Sequence, residues 1–451
     1  MACARAAGSP GGTSQPVRPV TRTSAAPPTQ VATTGVPNAM ASSMARETGT
    51  QSSRELITDL LRAVPGWLVR IVVAPCLAAR SMFVLAAMIA LSVMPTSTTA
   101  APLAARGEFF ISPSGSDSND GRSPATAWRS FSRVRANRAP AGSVILAQAG
   151  GVWHETVQLQ ANNLTLSVYG SGPRPKIVAP DAQYAFDSDW RTGTHLEGWE
   201  FTSETRRGGR SGIVHVAGND HVVRDIKVHG ADGWMFVSRG VRGLVENSEF
   251  YDNDGSGETT AVSIGGYEGT GYPDWPDVSI IRNSYIHDTK YRALATWGTN
   301  VLIENNRVER WSAPGRTSSA TQAPAGIYVS SRYQGYLVVR NNLLAGSGVE
   351  HRGIWVDTGP ENRTFFDGNT VTDVIDCLRV EKTDNVVVRG NTCERIQSAG
   401  VRLGSGYPDN GDPAENAVIF ENRFVGPTPA DDWIKVYPGS TAQIYTNLFI
   451  R

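Results

Sequence analysis

From Val222 to the C-terminus this chain repeats one phrase: two or three apolar residues, a charged or small residue, asparagine, then a β-branched or aromatic residue. It reads VVRDIKV at 222–228, LVENSEF at 244–250, IIRNSYI at 280–286 and LIENNRV at 302–308. It continues as VVRNNLL (338–344), FFDGNTV (365–371), VVVRGNTC (386–393) and VIFENRF (418–424), with IYTNLFI (444–450) as a closing copy. Asp225 and Asn247 are 22 residues apart, as are Asn283 and Asn305, and Asn369 and Asn391; longer intervals carry Gly/Pro-rich insertions. A unit of about 20–30 residues built from short β-runs cannot bury its apolar side alone, so successive copies must stack. The chain therefore reads as an all-β solenoid, a parallel β-helix with one strand of each kind per coil.

Each asparagine strand is followed, after a turn, by a second short run: WMFVS (234–238), AVSIG (261–265), ALATW (293–297), GIYVS (326–330), GIWVD (353–357), CLRVE (377–381), GVRLG (400–404) and WIKVY (433–437). Period-two alternation turns the second and fourth residue of each run inward, an apolar set from Met235 and Val237 to Ile434 and Val436. Two outward columns follow. The middle one is Phe236, Ser263, Ala295, Tyr328, Trp355, Arg379, Arg402 and Lys435; the last is Ser238, Gly265, Trp297, Ser330, Asp357, Glu381, Gly404 and Tyr437. Neighbours in a column lie roughly 4.8 Å apart. A solvated sheet needs no row of aromatics, so Trp297, Tyr328 and Trp355 beside Arg352, Arg402 and Lys435 read as a binding face, with salt-bridged surface sheet as the plain alternative. Flat rings suit sugar C–H faces, and Arg holds a carboxylate with two hydrogen bonds. Insertions at 265–277, 312–324 and 404–416 border this face, where solenoids build their sites.

Residues 1–64 are rich in Ser, Thr, Pro, Ala and Gly and read as disordered. Within 65–105, Arg70 and Arg80 precede the apolar run Met82–Met94 and a tract of small residues. That is the pattern of a secretory signal peptide; an uncleaved signal anchor is the alternative, and the only route to membrane association. Both place the solenoid, 106–451, outside the cell or in its envelope. Residues 1–105 hold eight Arg and three acidic residues, which leaves 34 basic against 39 acidic in the solenoid, a net of −5. A nucleic-acid-binding domain is usually basic, so no such partner is expected. Cys377 and Cys393 fall on different strands of adjacent coils and are expected as free thiols, with a disulfide as the alternative.

The opening FFISPSGSDSNDGRSPATAWRSFSRV (109–134), then SVILAQAGGVWHETVQL (143–159) and NLTLSVYG (163–170), resembles exported proteins of the pectate-lyase-like superfamily. The resemblance covers about 109–451. It implies a right-handed β-helix whose open end is capped by a short amphipathic helix around 130–138. Asp117, Asn119 and Asp120 before Gly121 offer oxygen ligands, but the full spacing of a calcium loop is missing and the segment reads as a turn. No cofactor and no metal centre is expected.

For chemistry, abstraction of a proton beside a uronate carboxylate needs a base, a donor to the leaving oxygen and a cation on the carboxylate. His351 or Lys290 is the candidate base, Tyr291 the donor, and Arg352, Arg379 or Arg292 the clamp. Hydrolysis needs two carboxylates, drawn from Asp357, Asp376 and Glu381. His287-Asp288 reads as turn structure. The motif sets of polygalacturonases and mannuronan epimerases are missing. Two functions stay open: an exported polysaccharide lyase or glycoside hydrolase acting as a monomer on an acidic or neutral polysaccharide, and a non-catalytic cell-envelope β-helix that binds glycans or acts as a structural module. The asparagines at 247, 283, 305, 341, 369, 391 and 422 are expected in a left-handed turn, stacked as a ladder.

Overall fold

The computed structural model describes residues 107–450 apart from 208–211, 255–259, 266–277, 299, 312–323, 331–334, 347–351, 359–362, 405–412 and 427–432. Residues 1–106, with the expected disordered extension and signal segment, His351 and most of the three insertions lie outside the described residues. Three parallel sheets wind through the rest, here numbered in the order in which a coil visits them. Sheet 1 has 13 strands, sheet 2 has 12 and sheet 3 has 11. Strands of one sheet come from successive coils, as in Val222–Arg224 beside Leu244–Glu246 beside Ser279–Arg282. The parallel β-helix expected from the repeat, right-handed as the resemblance implied, is the fold found.

Apolar residues of the repeat meet in register inside. In sheet 1 the column runs Val223, Val245, Ile281, Ile303, Val339, Phe366, Val388 and Ile419, every member buried. A slip by one residue would move these side chains to the solvent, which is why so simple an alternation fixes register. The cap is shorter than expected, a helix over Ser132–Arg135. Trp128, Phe131 and Val134 close the first coil, with Phe131 edge-on to Trp153 and Trp199. Asp117 accepts hydrogen bonds from the backbone of Arg129 and Ser130, and Asp120 from Arg122 and Thr126, so both carboxylates tie down turns.

The asparagines divide into two columns. Asn247, Asn283, Asn305 and Asn341 take left-handed φ of 52–55°, at a position filled by Gly368 and Gly390 in later coils. One residue further on, the side chain points inward: Ser248, Ser284, Asn306, Asn342, Asn369, Asn391, Asn422 and Asn447 form a continuous ladder. In the asparagine part each Oδ1 accepts both the backbone N–H and the side-chain amide of the asparagine one coil earlier. Expected as one column, Asn369, Asn391 and Asn422 thus belong to the buried ladder and the other four to the exposed bend. The phrase shortens from Asn-Asn to Gly-Asn between coils, and counting asparagines alone merges the two.

Three further expectations change. Cys377 and Cys393 are joined in a disulfide between a sheet 3 strand and a sheet 2 strand of the next coil, rather than free. Their Cα atoms lie 5.9 Å apart, within bonding reach. Phe236 points inward against Phe250, and Val237 takes the outward place beside Ser263. WMFV is apolar at every position, so alternation carries no register there. Third, the Trp355–Arg379 face is packed rather than open: Arg379 and Glu381 are buried and Trp355 half-buried.

Candidate functional site

The outward middle column of sheet 3 is otherwise as read. Ala295 pairs with Tyr328, Tyr328 with Trp355, Trp355 with Arg379, Arg379 with Arg402 and Arg402 with Lys435. Three positions earlier in these strands, Arg292 pairs with Ala325 and Ala325 with Arg352, and both arginines lean on the rings. The Arg292 guanidinium sits 3.6 Å from the Tyr328 ring centre and that of Arg352 4.6 Å from Trp355. Tyr328 and Trp355 meet edge to face at 5.1 Å, and Trp297 approaches Tyr328 at 6.1 Å. Trp234, which sequence reasoning passed over, stacks on Trp297 at 5.2 Å. Its place before a short outward-facing run was the signal available.

Carboxylates lie between these groups. Glu381 accepts from Arg379 Nε at 2.7 Å on one oxygen and from the Trp355 indole N–H at 3.0 Å on the other. Asp376 sits 3.2 Å from Arg402, whose guanidinium also donates to Ser398. Asp357 owes its place to a bulge: Val329 pairs with Val356 but Ser330 with Thr358, leaving Asp357 extra. Such an irregularity re-aims a side chain, and Asp357 accepts the Tyr328 hydroxyl at 3.0 Å. Sequence alternation had stacked it on Ser330 instead.

Burial, against the pull of Arg292, pushes the Tyr328 hydroxyl well above the usual phenol range. Burial, then the neighbouring Arg379, brings Arg352 down to about 10. Among the described residues no carboxylate pairs with Arg352; its contact is the Trp355 ring. Asp376 and Glu381 pull against that fall, but Glu381 is held by Arg379 and Trp355 and Asp376 faces Arg402.

The other candidates are scattered. Lys290 is half-buried in the turn between sheets 2 and 3, and the Tyr291 ring beside it is 2 % exposed, closed to an approaching chain. His287 and Asp288, expected in a turn, lie instead within the sheet 2 strand Tyr285–Thr289, where Asp288 bonds His287 and Arg310. Among the described residues no group of His, Cys, Asp or Glu is arranged to hold a metal ion. No helix there is long and apolar enough to cross a membrane.

Residues 211–374 match the family model described as the right handed beta helix region. No curated protein matches the chain. Among solved structures it is similar to a GH136 lacto-N-biosidase from Eubacterium ramulus, at 13 % identity over 76 % of this chain and 68 % of that one, with a TM-score of 0.45. It is also similar to pectate lyase Pel9A (13 % identity, 76 % and 80 % covered, TM-score 0.44). A third is a PL6 family polysaccharide lyase from Pseudopedobacter saltans (14 %, 71 % and 91 %, TM-score 0.46). At these identities the likeness is one of fold.

Proposed function

We propose that this is an exported carbohydrate-active protein that binds a carboxylated polysaccharide along the outer face of sheet 3. The observation that carries the reading is Arg352: a half-buried guanidinium, without a carboxylate partner among the described residues, set against an aromatic ring and next to Arg379. A uronate carboxylate supplies the missing charge and an Arg fork binds it with two hydrogen bonds. The half-buried Trp355 and Trp297 then offer the apolar contact that sugar rings use, whereas Tyr328, read from the sequence as a binding ring, is buried beneath Arg292. The disulfide fits an oxidising compartment and so supports export.

Among reactions, elimination suits the site better than hydrolysis. Neutralising the uronate carboxylate makes the adjacent ring proton easier to remove, with Lys290 or His351 as acceptor; the C–H electron pair becomes the new C=C bond as the glycosidic C–O bond breaks, and the leaving oxygen takes its proton from that protonated base or from water. Hydrolysis needs one carboxyl group free to donate a proton and another free to attack or to activate water. Here both oxygens of Glu381 already accept hydrogen bonds, Asp376 faces Arg402 and Asp357 holds Tyr328. Incubation with polygalacturonate and alginate, followed by ultraviolet absorbance of unsaturated ends and by reducing-end release, separates the two. Absorbance lost in Arg352→Gln supports the reading; reducing ends without absorbance overturn the elimination step.

A non-catalytic glycan-binding role has one observation in its favour: Asp357, Glu381, Arg379 and Arg402 are all partnered within the protein. Binding to a polyuronate with neither product signal selects it.

A further inference from the structure

The outward middle column of sheet 3 does not begin at the aromatic cluster. It runs back from Tyr328 through Ala295, Ser263 and Val237 to His215, and then to Asp187. Four strand steps separate His215 from Tyr328, roughly 19 Å at the spacing of hydrogen-bonded strands. At this far end Asp187 Oδ1 lies 3.0 Å from His215 Nδ1 and also accepts the backbone N–H of Asp189 at 2.9 Å. A carboxylate only accepts, so Nδ1 carries the proton, and Nε2 is the ring nitrogen left to meet another group. That Nε2 is buried and has no hydrogen-bond partner, in a side chain 7 % exposed. A buried ring nitrogen left unmet is costly, so such an atom calls for an explanation.

The surroundings supply one. Tyr184 stacks on the imidazole at 5.7 Å, and Trp190 stands edge-on to it at 6.2 Å. Trp190 is 52 % exposed, an unusual place for a large ring in a chain with a full core. Its φ is 60° and that of Asp189 is 49°. A bulky residue in the left-handed region is strained, and such strain collects at binding and catalytic positions.

We propose that His215, held by Asp187 and bracketed by Tyr184 and Trp190, is a second sugar-binding position that recognises a hydroxyl group of the same polysaccharide chain. This rests on reading sheet 3 as a glycan face. A sugar hydroxyl can give or take the hydrogen bond that Nε2 lacks, while Asp187 disfavours a carboxylate there and Asp189 is paired with Arg191; the arginine end has the opposite preference. Trp190 turns aside to admit the sugar and lays its flat face on the ring's C–H surface. Val237, Ser263 and Ala295, which continue the column between the two ends, are buried, so the chain reaches both ends without resting on them.

The test is a calorimetric titration with oligogalacturonates and oligomannuronates in two lengths, a disaccharide that covers the arginine end alone and a dodecasaccharide that reaches His215. Wild type, Trp190→Ala and His215→Phe are compared, with melting curves to establish that each is folded. Trp190 is exposed, so its variant keeps the test valid if His215→Phe does not fold. The expected result is about a tenfold loss of dodecasaccharide affinity in both variants with disaccharide affinity unchanged. Equal dodecasaccharide affinity in Trp190→Ala and wild type overturns the second position and leaves the arginine end standing. A wild type that binds none of the four oligomers refutes the glycan face itself, and this position with it.

Discussion

Replacing Asn391 by Ala removes one rung from the middle of the buried ladder. Its Oδ1 accepts both the backbone N–H and the side-chain amide of Asn369 at 2.9 Å. Its own amide reaches Asn422 at 3.0 Å and the carbonyl of Phe366 at 2.9 Å. Alanine therefore strands at least two donors of Asn369 in an interior that excludes water. At about 1–3 kcal/mol for each unmet buried donor, the loss comes to roughly 2–6 kcal/mol. Asn247 offers the control. It belongs to the same sequence phrase, but it is exposed at φ 52° and its side chain makes no rung. There Ala costs only the left-handed penalty, about 1 kcal/mol, and Gly removes even that. The assay is urea unfolding of the three variants followed by circular dichroism. Asn391→Ala should shift the midpoint several times further than Asn247→Ala, and Asn247→Gly should leave it near wild type. Equal shifts for Asn391→Ala and Asn247→Ala would refute the division of the asparagines into rung and bend.

Trp355→Ala should cost about 2 kcal/mol, less than a core tryptophan, because the ring is half-buried but its indole N–H holds Glu381; an unchanged melting midpoint would show that the ring does not anchor the cluster. Cys377 and Cys393 should resist thiol labelling in denaturant until reductant is added, and replacing both by Ser should cost about 3 kcal/mol for a bond closing 16 residues. Labelling without reductant, in protein made in an oxidising compartment, would count against the bond. His221 is fully buried between the Gly218 carbonyl and Ser238, and burial takes its pKa from 6.5 down to about 4. Between those values the unfolded chain binds more protons than the folded one. Stability is therefore full above pH 6.5 and falls by about 3 kcal/mol as the pH drops to 4. A His221→Gln variant should flatten that slope, and one as steep as wild type would refute the assignment.

The repeat, the inward apolar columns and the Tyr328–Trp355–Arg379–Arg402 column were legible in the sequence because strand alternation has a period of two and coils stack in register. One chain segment thus carries both its own geometry and its neighbour's. The same argument failed wherever the local pattern was degenerate. Phe236 lies in a run apolar at every position, and Asn369 differs from Asn341 only in which side of one peptide bears the rung. Asp357 reaches Tyr328 through a bulge that no alternation foretells. Asp187 and His215 stand 28 residues apart in short strands without the asparagine phrase, and only sheet pairing brings them side by side. The pairing of Cys377 with Cys393 likewise depended on which coils touch. What a strand repeats is written along the chain; what two strands hold between them depends on distances that only the wound solenoid sets.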